Sequence, residues 1–204
     1  MARENNYLIQ AAQARQRFCT YDQEKLVKKL NLAQDDTWLY TRFLGMPYRI
    51  HRVTGDLQRQ EDGIWEDANT YEETMTLLDL VCDSREDRHL TYRWKDMVSF
   101  GQMFHRSLLE EGKDPWAQRF DANPEGLRKA CIAMGGQPFP QGDVAYILEV
   151  FDGLQLVVQL WQGDEEFPPR LRILWDENAL MYIRYETMYF AKGLLLQQLR
   201  RHSQ

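Results

Sequence analysis

Apolar positions recur at helical intervals through the first thirty residues. Leu8, Ile9, Ala12 and Phe18 predict one helix, and Leu26, Val27 and Leu30 predict a second that begins after Asp22. From Thr37 to Val53 the period changes to two. Trp38, Tyr40 and Arg42 alternate with Leu39, Thr41 and Phe43, Gly45-Met46-Pro47 interrupts, and Tyr48 to Val53 resumes, so a hairpin or meander is expected, with a short strand near Leu57. Asn69 with Glu72 reads as a variant capping box that opens a helix carried by Met75, Leu77, Leu78, Leu80 and Val81 to Cys82. The charged stretch Asp83–His89 is a polar loop, the weakest point of the chain but too short to separate independent domains. No pattern settles Tyr92 to Arg119. Asn123-Pro124 then starts a helix through Leu127, Ala130, Cys131 and Met134, and Gly135-Gly136 stops it.

The strongest pattern begins at Asp143. Residues Asp143 to Phe151 and Leu154 to Trp161 are β-rich runs around Asp152-Gly153, the dipeptide that a two-residue hairpin turn favours. A strand from Leu171 to Trp175 follows, Asp176 caps what comes next, and an apolar helical tail runs from Asn178 to Arg200 with a break near Arg184 and Tyr185. With a regular ladder, Phe151 pairs with Leu154, Glu149 with Leu156, Ile147 with Val158 and Ala145 with Leu160. That places Glu149 alone on an apolar face, where desolvation would raise its pKa unless Arg170 or Arg172 pairs with it. A slip of one residue would move Glu149 to the opposite face.

Composition narrows the classes. With 204 residues, 44% hydrophobic and 27% charged, the chain can bury a sizeable core as one α+β domain. The predicted architecture is a small antiparallel sheet, made of the C-terminal β-hairpin plus a third strand, packed with N-terminal, middle and C-terminal helices. Within the single domain 1–204, an N-terminal helical and strand region covers 1–90 and a helix–hairpin–strand–helix core covers 123–201. The net charge of -6 gives no broad positive field for nucleic acid. The absence of a leader or a long apolar run points to the cytoplasm and away from a membrane. Cys19, Cys82 and Cys131 form no CxxC, and His51, His89, His105 and His202 show no ligand spacing, so no metal site is expected from either residue type. The last helix is apolar on several sides (Met188, Tyr189, Phe190, Leu194, Leu195, Leu196, Leu199), which suits burial in the core or, alternatively, a homodimer seam.

Candidate chemistry concentrates in Gly163-Asp164-Glu165-Glu166-Phe167-Pro168-Pro169. Three successive carboxylates, with Asp143 and Asp176 nearby in sequence, could hold a hard cation, or the stretch is a solvated turn with a Phe-Pro plug seated on the core. The segment from Gly142 to Glu186, GDVAYILEVFDGLQLVVQLWQGDEEFPPRLRILWDENALMYIRYE, resembles the bacterial family catalogued as domain of unknown function 3786. It is similar in its G-D start, its two-strand hairpin, its W-x-G-D-E-E-F-P loop and its L-W-D strand end. The resemblance implies a cytosolic protein of anaerobic bacteria and brings no activity or catalytic residue. Some relatives carry an N-terminal cysteine cluster of iron–sulfur type, whereas this chain has only Cys19 there.

The function expected on these grounds is a non-enzymatic accessory protein that binds a small-molecule or protein partner. Its candidate ligand-binding residues are Glu149, Trp161, Asp164, Glu165, Glu166 and Phe167. The alternatives are a metal-assisted, hydrolase-like enzyme using the acidic loop and, from the resemblance alone, an iron–sulfur or corrinoid-linked accessory protein. No cofactor is specified.

Overall fold

Helices and, among the described residues, two antiparallel sheets of five strands each make this an α+β protein. The structure is a computed structural model that describes residues 2–101 and 114–204; His105 lies outside the described residues. Two compact units are distinguished, Met1–Arg88 with Met181–Ala191, and His89–Leu180 with Lys192–Gln204. Their boundary falls inside the polar loop Asp83–His89.

In the first unit, helix α1 (Ala2–Thr20) and helix α2 (Gln23–Leu30) precede a meander of β1 (Ala33–Gln34), β2 (Trp38–Phe43), β3 (Met46–His51), β4 (Leu57–Glu61) and β5 (Ile64–Asp67), in that spatial order. Asp22 caps α2 by accepting the Lys25 N–H at 3.2 Å, and Asn31 ends it in the left-handed region at φ 48°. The break between β2 and β3 falls at Leu44-Gly45, both at positive φ, two residues before the proline. Leu39, Phe43, Tyr48, Ile50 and Leu57 point inward. Trp38, Tyr40 and Arg49 are only half-buried, and the Arg49 guanidinium lies 4.1 Å from the Trp38 ring centre and 4.5 Å from that of Trp65.

Helix α3 (Tyr71–Asp83) closes the 1–88 segment. Its cap is Thr70 and not Asn69: the Thr70 hydroxyl accepts the Glu73 N–H at 3.2 Å and donates to Glu73 Oε2 at 2.8 Å. Asn69 instead accepts the Leu57 N–H at 2.9 Å. Of the α1 residues that set the helical period, Phe18 is buried, but Leu8 and Ile9 are exposed and Ala11 replaces Ala12 on the core face.

The second unit holds β6 (Trp94–Asp96), α4 (Pro115–Asp121), α5 (Pro124–Ala133), β7 (Gln137–Pro138), β8 (Val144–Phe151), β9 (Leu154–Trp161) and β10 (Arg170–Asp176), with sheet order β6-β10-β9-β8-β7. Asp114-Pro115 starts α4 by the rule that Asn123-Pro124 follows for α5: an oxygen cap, then proline at the first helical position. A short 3-10 turn (Ala179–Met181) and helix α6 (Tyr185–His202) complete the chain, so the tail is broken just before Tyr185. Met188, Leu195, Leu196 and Leu199 of α6 are buried.

The hairpin turns at Asp152-Gly153, both left-handed at φ 47° and 83°, and Phe151 pairs with Leu154. The regular ladder predicted beyond it is wrong. A β-bulge makes Glu149 pair with Gln155, so Val150 is the extra residue and every lower pair shifts by one: Ile147 faces Val157 and Ala145 faces Gln159.

Candidate functional site

The bulge decides where Glu149 goes. Val150 and Phe151 both bury their side chains, and Glu149 is turned out to solvent. There its Oε1 accepts the Gly153 N–H at 3.2 Å, which ties the turn to the strand. The expectation of a carboxylate among aliphatic neighbours is therefore corrected, and no arginine partner is needed. Glu149 is also remote from the acidic loop. It sits opposite Gln155, six residues before Trp161 on the same strand, or about 20 Å at the rise of an extended chain. Asp176 is equally distant, since Trp161 pairs with Arg170 and Asp176 ends β10 beside Trp94. Fully buried, Asp176 accepts the N–H groups of Thr91 (3.0 Å), Tyr92 (2.7 Å) and Asn178 (2.8 Å), a structural clamp on the strand entering the sheet.

The structure keeps Trp161, Asp164, Glu165, Glu166 and Phe167 together, because they lie at the end of β9 and on the short loop that follows, whose backbone is fastened at several points. Gln162 donates its N–H to Asp143 Oδ2 at 2.8 Å, and Gly163 donates to Asp121 Oδ1 of α4 at 3.0 Å. Asp164 folds the tip. Its Oδ1 accepts the N–H groups of Phe167 (2.7 Å) and Glu166 (2.8 Å), while its own N–H donates to the Phe167 carbonyl at 2.9 Å. Those two amides hold the Asp164 carboxyl below the ordinary carboxylate range, so near neutrality it is an ionised turn-former with no proton to give.

What the loop presents outward is apolar and acidic at once. Trp161 is 45% exposed and Phe167 is 66% exposed, so Phe167 is not a plug seated on the core. Glu165 and Glu166 are exposed on the same turn. Among the described residues, no three His, Cys, Asp or Glu side chains are grouped as a metal ion would need. Nor is any helix among them long and apolar enough to cross a membrane.

Chemistry missed in the sequence lies in the first unit. Asp79 and Asp83, one turn apart on α3, meet Arg17 of α1, Tyr21 just after that helix, and Arg184 just before α6. The available signal was a pair of aspartates at i and i+4 in a helix otherwise rich in leucine. Of the cysteines, Cys131 is buried and Cys82 half-buried, and desolvation pushes both thiols up to about 12; Cys19 is exposed.

A family model described as a domain of unknown function (DUF3786) matches residues 22–198. Neither the curated proteins nor the solved structures contain a match to the chain.

Proposed function

The chain belongs to the DUF3786 family, and we propose that it is a non-enzymatic partner-binding protein whose loop from Trp161 to Pro169 is the contact element. The observation that carries this reading is Phe167, two-thirds exposed at the tip of a turn that four backbone amides already hold in place. An aromatic side chain in water gains most from burial against a partner, and a pre-formed loop loses little conformational freedom on binding. Glu165 and Glu166 beside it select a partner surface with an apolar pocket rimmed by Lys or Arg. Catalysis by the loop is less well supported. Asp164 spends its carboxylate on the turn, and Glu149 stands at the other end of the strand.

The test places a photo-cross-linking residue at position 165 of the full chain in extracts of the native host, with position 149 as control. A discrete adduct is expected at 165 only. It should be weakened by Trp161→Ala with Phe167→Ala, and also by raising salt to about 0.5 M, where exposed charge pairs are screened. No adduct at 165, or adducts indifferent to both changes, overturns the proposal.

A further inference from the structure

The segment 181–191 meets the carboxylates of α3 at Arg184. The Arg184 N–H donates to Asp79 Oδ2 at 3.0 Å, its Nε stands 3.2 Å from Asp79 Oδ1, and Nη2 reaches Asp83 Oδ2. Asp83 Oδ1 in turn accepts from Tyr21 at 2.7 Å and from Arg17 at 2.5 Å. The pair is unequal. Asp79 has a side chain only 6% exposed, and Asp83 has one 17% exposed. Asp79 Oδ1 is buried without an aligned hydrogen bond, the Arg184 Nε–H pointing off it. A proton held between the two carboxyls supplies the missing hydrogen bond and removes the like-charge repulsion of two neighbouring anions.

We infer that Asp79, Asp83 and Arg184 form a protonation-gated clasp fastening the start of α6 to α3, tight while the carboxyl pair shares a proton and looser once both are ionised. The titratable and charged groups around the pair are Arg17 of α1, Tyr21 just after it, Lys29 of α2, Cys82 on α3 itself, and Arg184. Lys29 points its ammonium at the carbonyls of Cys82 (3.0 Å) and Ser84 (2.9 Å), so it faces backbone and not the carboxyls. A cavity of about 40 Å³ lined by Asp79, Arg17, Cys82, Arg184 and Thr187 has room for water, which gives the proton a route to solvent.

Burial pushes Asp79 up to about 6, against the lowering pull of Thr187 and the Arg184 N–H. At Asp83 burial acts in the same upward sense, but the hydrogen bonds from Tyr21 and Asp79 and the two guanidiniums outweigh it and leave the group low. The proton therefore resides on Asp79. A carboxyl raised in the folded state contributes its full stability below the ordinary Asp range and loses it as pH rises through about 6.

Hydrogen exchange of the full chain, corrected for the intrinsic pH dependence, reads this out. Between about pH 5 and pH 7.5, protection of peptides covering 184–191 should fall by at least about tenfold, while β8 and β9 keep theirs. In Asp79→Asn the 184–191 protection should stay near its acid value throughout. Protection that does not change with pH, or a pH response that survives in Asp79→Asn, overturns the clasp. If that variant does not fold, the Asp79 carboxyl titration in the unaltered chain decides by NMR: a midpoint about 6 supports the inference, and one about 4 ends it.

Discussion

Glu73 shows how much a single buried charge demands of its neighbours. At 2% exposure it accepts from Tyr48 Oη (3.0 Å), Arg59 Nη1 (2.8 Å) and the Thr70 hydroxyl (2.8 Å), and Arg59 is itself steadied by Glu61 at 2.6 Å. Burial first, and the Glu73 charge second, push the Tyr48 phenol far up. Removing the cation alone leaves an uncompensated carboxylate in the core, so Arg59→Ala should cost about 3–5 kcal/mol in denaturant unfolding. None of this was legible in the sequence. Glu73 reads there as a first-turn helix residue, and only the pairing of β3 with β4 sets Arg59 beside Tyr48. Asp79 and Asp83 were hidden for the same reason, since the arginine that answers them stands about a hundred positions away.

At the scale of the element, two glycines are required for different reasons. Gly153 sits at φ 83° with open space around it, so Gly153→Ala carries only backbone strain, roughly 1–2 kcal/mol, and should leave the hairpin register intact by NMR. Gly163 has no such conformation. A Cβ there would stand 2.8 Å from Pro169 Cδ and 3.0 Å from its nitrogen, against ring and backbone atoms that cannot swing aside. Gly163→Ala should displace the loop and raise proteolytic nicking at 164–168, with a small change in global stability. The hairpin also marks the limit of pattern reading. Asp152-Gly153 announced the turn and the alternation announced the strands, but a bulge adds a residue without a composition of its own. Its trace is two consecutive apolar residues, Val150 and Phe151, both buried. Charge and aromatic content set the loop residues apart in the sequence; their exposure and the Asp164 turn needed coordinates.

The whole molecule is assembled from units that are not continuous in sequence. The first takes residues 1–88 and then 181–191, and the second takes 89–180 and then 192–204. No periodicity carries that information, because it is a property of which segments meet and not of any segment alone. A chain ended after residue 180 should therefore lose cooperative unfolding in the first unit, seen as a broadened thermal transition and early exchange of α1 and α3 amides, although every residue of those helices is present. The interruption also has a temporal side. During synthesis α3 leaves the ribosome about a hundred residues before Arg184 does, which at translation speeds of about 5–20 residues per second is a wait on the order of five to twenty seconds. Through that interval Asp79 and Asp83 stand without the arginine that answers them, and that stretch of the nascent protein is open to chaperones and proteases.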